Sequence, residues 1–154
     1  MTYMLSRSFT AQLFALGKDH QKRLGVTHSS VPAQSGWLTT VEDDERSVPI
    51  DFRFEFIHRE SEARLLFMIT SVTHAGGYRQ TQLNLSRNGF AGLYRVDAED
   101  TSWKVEPLNA WNDESDLQFH LRTASGERLG RTHEGLFNAF EGDVVVFKAK
   151  VIDY

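Results

Sequence analysis

Asp51-Phe52-Arg53-Phe54-Glu55-Phe56 is the stretch that decides the fold, because polar and aromatic residues alternate along it. Successive side chains of a β-strand point to opposite faces, so this period of two predicts a half-buried strand with its phenylalanines inside. The next apolar stretch, residues 63–72, is nearly continuous and predicts a second strand. Gly76 and Gly77 follow it and predict a turn, because glycine adopts positive φ without steric cost.

Other short stretches predict further strands and two helices. The strands are expected at residues 78–85, 93–96, 103–105, 117–121 and 144–152, with a hairpin turn at Ser125-Gly126. Ser8 would cap a first helix, with Phe9, Leu13 and Leu16 at helical spacing and Gly17 at its end. Residues 133–140 would form a second, shorter helix closed by Gly142. About seven strands without βαβ alternation favour a β-barrel or sandwich over a doubly wound sheet.

Length and composition indicate one ordinary globular domain. The chain has 154 residues, 40% of them hydrophobic and 25% charged, so residues 1–154 are expected to form a single domain. No cysteine is present, which excludes disulfides, thiolate zinc sites and cysteine nucleophiles. No apolar run approaches the ~20 residues that span a bilayer, and the N-terminus lacks a secretory signal. We therefore expect a cytoplasmic protein without membrane contact, monomeric as a domain.

The net charge of −4 is unevenly distributed along the chain. Residues 1–37 carry a net +3 and residues 64–96 a net +4, the latter without any acidic residue. Residues 41–62 carry −5 and residues 97–116 carry −6. Because the local field decides whether a phosphate backbone is attracted, two basic segments can bind nucleic acid despite the negative total. The alternative is that the acidic segments are merely solvated loops.

No assembled catalytic or metal site is evident in the sequence. Asp43, Asp44 and Glu45 are adjacent, but they lie in a polar stretch and are expected to be solvated. The six histidines form no pair at ligand spacing, and neither a nucleophile elbow nor a phosphate-binding glycine loop is present. We therefore predict a non-catalytic domain with no catalytic residues, no metal and no cofactor.

Side chains that can read base edges or hold phosphates are concentrated in the two basic segments. Arginine pairs with guanine, Gln and Asn pair with adenine, and Lys, Ser and Tyr hold phosphates. The candidate DNA-binding residues are Lys18, Lys22, Arg23, His28, Ser29, Ser30, Gln34, Ser35, Trp37, His74, Tyr78, Arg79, Gln80, Gln82, Asn84, Arg87 and Asn88. In the predicted strand 78–85, Tyr78, Gln80, Gln82 and Asn84 would share one face.

Three alternatives to DNA binding are compatible with this polar surface when only the residues are considered. The polar face of strand 78–85 could simply be the solvent side of an antiparallel sheet. The chain could also be a small-ligand-binding β-barrel lined by some of its eleven phenylalanines and three tryptophans. A metal-dependent hydrolase using scattered His, Asp and Glu is the third alternative to DNA binding.

Three motifs occur in one order along the chain. They are Lys22-Arg23-Leu24 followed by a polar loop to Gln34-Ser35-Gly36, Ser61-Glu62-Ala63-Arg64 before the glycine-containing basic hairpin, and Phe140-Glu141-Gly142-Asp143-Val144-Val145-Val146-Phe147. The first two resemble the effector DNA-binding domain of EcoRII-type restriction endonucleases. The third is similar to the closing strand of the wider B3 family, which includes plant transcription factors. Together they span most of residues 20–147.

This resemblance implies a B3-like, seven-stranded open pseudobarrel with two short helices that grips the DNA major groove with two arms. The N-terminal arm would be residues 22–37 and the C-terminal arm residues 73–88. Carried over position by position, DNA contacts fall on Lys22, Gln34 and Arg79. The family's nuclease is a separate domain, so this chain would be the specificity domain of a restriction endonuclease in a restriction-modification system. The sequence CC(A/T)GG is the first duplex to test.

Overall fold

The computed structural model describes residues 6–42, 46–95, 101–111 and 116–154, and these are mainly β-structure. Strands and isolated β-bridges account for 57% of the described residues, and almost none of these residues are helical. The strands are β1 Phe9–Leu16, β2 Gln21–Thr27, β3 Leu38–Thr40, β4 Ser47–Pro49, β5 Asp51–Ser61, β6 Arg64–Ser71, β7 Gln82–Leu85, β8 Ala91–Tyr94, β9 Ser102–Pro107, β10 Leu117–Arg122, β11 Gly130–Arg131, β12 Phe137–Asn138, β13 Asp143–Val144 and β14 Val146–Asp153. Two single-turn 3-10 helices lie at Pro32–Gln34 and Ala75–Gly77.

Six of these strands close into an antiparallel barrel. Going around it, β1 pairs with β14, β14 with β10, β10 with β9, β9 with β6, β6 with β5, and β5 pairs again with β1. Closure leaves no unpaired edge in the ring, which removes the usual liability of an open sheet. The predicted mainly β, barrel-like fold is thus confirmed, but the ring is closed by six strands, whereas the resemblance implies an open pseudobarrel of seven.

Phenylalanine rings fill the barrel interior. Phe52 and Phe54 of β5 are fully buried, as the alternation of residues 51–56 predicts. The ring of Phe54 stacks on that of Phe9 with centroids 4.8 Å apart, and its edge meets the ring of Phe67 at 5.7 Å. On the other side of the barrel Phe119 stacks on Phe147 at 5.8 Å. Such ring pairs add about 1 kcal/mol each beyond the burial of their area.

The remaining strands extend the barrel on one side and carry the two predicted arms. The end of β1 pairs with β2, which in turn pairs with β3 and β4. The end of β6 pairs with β7 at Thr70 and Gln82, and β7 pairs with β8. A bridge between Trp37 and Gly92 joins the two extensions. The connections β2–β3 and β6–β7, which hold the predicted arms, therefore leave the same part of the molecule.

The predicted N-terminal helix is wrong, because residues 9–16 form strand β1. Phe9, Ala11, Leu13 and Ala15 are buried in strict alternation. The helical spacing of Phe9, Leu13 and Leu16 misleads because Ala11 and Ala15, which complete the period of two, are too small to give a strong hydrophobic signal. Pairing with β14, β2 and β5 then outweighs the weak local helix preference.

The second predicted helix, at residues 133–140, is also wrong. This segment is a tight β-turn followed by β12, and β11 pairs with both β12 and β13 in a small separate sheet. Gly135 adopts φ +88°, and its N–H donates to the carbonyl oxygen of Thr132 at 2.9 Å. A helix cannot pass through a residue in the left-handed region, so the chain reverses there.

The strand predicted at residues 78–85 begins only at Gln82. Residues 78–81 form a turn instead, in which the Thr81 N–H donates to the carbonyl oxygen of Tyr78 at 3.1 Å. Gln80 adopts φ +66°, which breaks the period of two. Tyr78 and Gln82 are consequently buried, and the predicted common solvent face of Tyr78, Gln80, Gln82 and Asn84 does not exist.

The other sequence-predicted strands are present with shifted bounds. Residues 63–72, 93–96, 103–105, 117–121 and 144–152 correspond to β6, β8, β9, β10 and the pair β13 and β14. Val96 and the acidic run Asp43, Asp44 and Glu45 lie outside the described residues. In the part of the chain that is described, no helix has the length and apolarity to cross a membrane.

Candidate nucleic-acid interface

Two neighbouring loops hold most of the exposed candidate residues. The first arm loop, residues 28–36, connects β2 to Trp37 and β3, and contains the 3-10 helix Pro32–Gln34. The second arm loop, residues 72–81, connects β6 to β7 and contains the 3-10 helix Ala75–Gly77. Gly76 and Gly77 have φ of +71° and +79°, which confirms the turn that the paired glycines predict.

Tyr78 joins the two loops. Its hydroxyl donates to the carbonyl oxygen of Thr27 at 3.2 Å, just before the first arm loop. The His28 ring meets the Tyr78 ring edge-on, with centroids 6.4 Å apart. Burial raises the pKa of Tyr78 above 10.0, although hydrogen bonding with Ser35 and the Gly36 backbone opposes this rise. The phenol therefore stays protonated at neutral pH and keeps its role as donor.

The first arm loop is held by its own hydroxyl groups. The Ser29 hydroxyl donates to Gln34 Oε1 at 3.2 Å and accepts the N–H of Val31 at 3.1 Å. The Ser35 hydroxyl donates to the carbonyl oxygen of Ser29 and accepts its N–H at 2.9 Å. Trp37 Nε1 donates to the carbonyl oxygen of Ala33 at 3.0 Å. These bonds fix the loop shape before any ligand arrives, which lowers the entropic cost of binding.

The second arm loop presents a cation beside a histidine. Arg79 is exposed and its Nη1 contacts Nε2 of the exposed His74. The Thr81 hydroxyl donates to the carbonyl oxygen of Tyr78 at 2.5 Å and holds the turn that carries Arg79. Gln80 is exposed in its left-handed conformation, and its N–H donates to the carbonyl oxygen of Ser71 at 2.9 Å.

The structure brings only part of the predicted set into one exposed group. The exposed members on the two loops are His28, Ser30, Gln34, His74, Arg79 and Gln80. Ser29, Ser35 and Trp37 are half-buried and support the first loop. Arg87 and Asn88 are exposed in the next turn, between β7 and β8, and this turn is near the first arm because the ring of Phe90 meets that of Trp37 at 6.2 Å.

Other predicted residues are placed away from this group or are already engaged. Lys22 pairs with Glu42 at 3.6 Å and Arg23 with Asp51 at 2.6 Å, so both cations are neutralised locally. Lys18 lies in the β1–β2 turn, at the other end of β2 from the first arm loop. Asn84 is half-buried and its Oδ1 accepts the N–H of Leu85 at 2.8 Å.

Tyr78 and Gln82, both predicted to contact DNA, are buried in the structure. Tyr78 is 8% exposed and Gln82 only 2%, too little to reach a nucleic-acid base. Gln82 and Leu83 are adjacent and both buried, so both faces of β7 are covered at this point. The alternation that predicts a solvent-facing Gln82 applies only to a strand that has one face in the core and the other in solvent.

Sequence reasoning missed three residues at this surface. Arg46 adjoins the first arm loop, because its carbonyl oxygen accepts the His28 N–H at 2.8 Å. Its sequence neighbourhood is acidic, and only the pairing of β4 with β2 brings it here. Val31 and Val72 are 47% and 41% exposed, one on each loop. Exposed apolar side chains in a polar loop are the signal that would have identified them.

The two loops carry no acidic residue, and the segment that holds the second loop is basic. Neither residues 28–36 nor residues 72–95 contain an Asp or Glu, while the latter contain Arg79, Arg87 and Arg95. The nearby acid Asp51 is bound to Arg23. Within the described residues no group of three or more His, Asp or Glu is arranged to hold a metal ion.

Comparison with known proteins adds no further assignment. No protein-family model and no curated protein sequence matches the chain.

Proposed function

We propose that this chain is a recognition domain that binds a specific sequence of duplex DNA through the two arm loops. One observation carries the proposal: two loops without acidic residues are joined by Tyr78 and expose hydrogen-bond donors and a cation. Arg79, Gln34 and Gln80 are residue types that pair with base edges in the major groove. Arg87 and Ser30 suit phosphate contacts at its rim.

The proposal includes the family relationship that the sequence motifs suggest. A barrel extended by two arm-bearing sheets is compatible with a B3-like pseudobarrel, in which paired arms enter the major groove. On that basis we propose that the chain serves as the specificity domain of a restriction endonuclease and is itself non-catalytic. Strand cleavage would then be carried out by a separate nuclease domain.

Selection of bound duplexes from a randomised pool at low salt tests the proposal directly. Enrichment of one short sequence is expected, with CC(A/T)GG included as a defined probe. Binding of the selected duplex is then measured across a salt series. If three to five phosphates are contacted, the logarithm of the association constant should fall with the logarithm of salt with a slope of roughly −3 to −5. Absence of any enrichment at low salt would overturn the proposal.

A further inference from the structure

A cleft separate from the arm loops lies between the end of β1 and the small sheet of β11, β12 and β13. Its volume is about 570 Å³, and Leu16, Arg131, His133 and Asp143 contribute to its walls. This is the size of pockets that bind small molecules. A smaller pocket of about 70 Å³ shares Arg131 and Leu16 with it and is also lined by Lys22. Arg131 thus lines both cavities.

The cleft is at the far end of β2 from the first arm loop. Lys22 is six residues before His28 on an extended chain, which corresponds to roughly 20 Å. Thr40, which lines the smaller pocket, is likewise at the end of β3 that points away from the loop. A ligand in the cleft would therefore not occupy the arm loops, and the inference does not rest on the proposed DNA binding.

Arg131 is the residue of the cleft whose charge has no carboxylate partner among the described residues. Its side chain is half-buried, and Nη2 donates to the Thr40 hydroxyl at 3.1 Å. Its Nε is buried without an acceptor, and the ion pairs among the described residues include none for Arg131. By contrast, the half-buried Arg23 and Arg122 each have a carboxylate partner, Asp51 and Glu106. Removing an unpaired charge from water is costly, and an anion from solution would supply the missing partner.

Besides Arg131, the ionisable residues that line the two cavities are one lysine, two histidines and one acid. His20 and Lys22 line the smaller pocket, and His133 lines the larger cleft. Asp143 is the single acid among the lining residues of both, and it is exposed. Glu42, which pairs with Lys22 at 3.6 Å, offsets part of this charge from outside the cavities.

We propose that this cleft binds the phosphate or carboxylate group of a small soluble anion, with Arg131 as its ion-pair partner. The guanidinium presents planar N–H groups that match both kinds of oxyanion. Lys22 lines the adjoining smaller pocket, His133 lines the cleft, and the Thr40 hydroxyl holds the guanidinium by accepting a hydrogen bond from its Nη2.

The test is a titration of the ¹⁵N-labelled chain, without DNA, with inorganic phosphate and with citrate, against sodium chloride at matched ionic strength. Saturable shifts of the amide signals of Thr132, His133 and Gly142 are expected with phosphate or citrate, and none with chloride. Arg131→Gln should weaken the affinity about tenfold, the usual contribution of one charge-assisted contact. Lys150→Gln, an exposed substitution on β14, should leave the affinity within about twofold.

Two results would overturn the inference. One is the absence of saturable shifts in the wild-type chain with both anions, a result that needs no variant to fold. The other is the same absence of shifts combined with weaker duplex binding in Arg131→Gln, which would show that Arg131 contacts the DNA backbone and not a small anion. If Arg131→Gln does not fold, Arg131→Met takes its place, because it removes the charge and keeps a long side chain; an unchanged affinity in Arg131→Met would contradict the assigned ion pair.

Discussion

The Tyr78 hydroxyl donates a hydrogen bond to the carbonyl oxygen of Thr27, 3.2 Å away, and so connects two loops that are 51 residues apart in the chain. The same carbonyl oxygen accepts the N–H of Gly36 at 2.8 Å, where the first arm loop closes. One acceptor thus receives a bond from each loop. The relative position of the proposed DNA-binding side chains depends on this junction.

Tyr78→Phe is expected to destabilise the chain by about 1 kcal/mol, because a half-buried neutral hydrogen bond is lost while the ring is kept. Chemical denaturation in urea measures the change. Tyr94→Phe is the matched control, since the Tyr94 hydroxyl is buried with no hydrogen-bond partner among the described residues and its removal should cost nothing or stabilise slightly. Equal losses in the two variants would show that the Thr27 contact contributes no stability.

Arg79→Ala should weaken binding to the selected duplex by about 1–3 kcal/mol if the guanidinium pairs with a guanine. Fluorescence anisotropy with the selected duplex and with a scrambled duplex measures the effect. Arg59→Ala, at an exposed position on β5 outside the arm loops, is the control and should change neither affinity. A loss of the same size on both duplexes would instead make Arg79 a phosphate contact.

Gln80 and Gln82 should respond oppositely to substitution, although they are two residues apart. Gln80→Ala removes an exposed side chain and is expected to weaken specific DNA binding without lowering the unfolding free energy. Gln82→Ala removes a buried side chain and should destabilise by about 2 kcal/mol, because a cavity remains between packed strands. Thermal unfolding and duplex binding are measured on both. A binding defect in a fully stable Gln82→Ala chain would place Gln82 at the interface after all.

Gly25→Ala should be strongly destabilising. A Cβ at this position of β2 would lie 2.0 Å from the carbonyl oxygen of Val48, a backbone atom of the paired strand β4. Relief requires separating the two strands, at a cost of about 3 kcal/mol. Gly17→Ala is the control, because the nearest atoms there belong to the exposed His20 ring, which can rotate away. Urea denaturation of both variants distinguishes the two cases, and similar stabilities would contradict the close β2–β4 approach.

Glu106 gives the fold a pH-dependent contribution. Burial alone would raise the pKa of Glu106, but hydrogen bonds from Arg122 and Arg128 and the charges of Arg122 and Arg64 lower it to about 2. Because the pKa is lower in the folded state than in the unfolded one, the ionised carboxylate stabilises the fold above pH 4.5. This contribution is lost as the pH falls towards 2.

Glu106→Gln should therefore cost roughly 2 kcal/mol at pH 7, allowing for solvent screening of the three arginines, and progressively less at pH 4 and pH 3. Urea denaturation at the three pH values measures the difference. Glu55→Gln serves as control, since the Glu55 side chain is 47% exposed and its pair with Arg53 should contribute little at any pH. A gap between wild type and Glu106→Gln that stays constant with pH would contradict the lowered pKa.

The parts of the fold that could be predicted from sequence are those with an unbroken period of two and large apolar residues. Phe52 and Phe54 are core residues whose alternation with polar neighbours predicts β5 and its inner face, whereas the nearly continuous apolar run of residues 63–72 predicts β6 but not which of its faces is inside. In β1 the period of two depends partly on Ala11 and Ala15. The larger residues of this segment, taken alone, have the spacing of a helix. Small inward-facing residues give a weak local signal, and the pairing partners that decide the matter are distant in sequence.

For the candidate site, residue types indicate which side chains are chemically able to bind DNA. They do not indicate which of these side chains are exposed and free of ion-pair partners. Arg23 and Lys22 are basic in sequence, yet Asp51 and Glu42 neutralise them through contacts that no local pattern indicates. Gln82 has the polarity of a surface residue, but β6 and β8 flank it and it is buried.

The sequence by itself determined a β fold with an aromatic core and two segments without acidic residues, because strand periodicity and charge are properties of neighbouring residues. Only the tertiary structure decided that six strands close into a barrel, that Tyr78 turns inward to join the two arm loops, and that Arg131 lies in a cleft without a carboxylate partner among the described residues. These three features depend on residues far apart in the chain, and their energies arise from closure, burial and ion pairing that exist only once the strands have assembled.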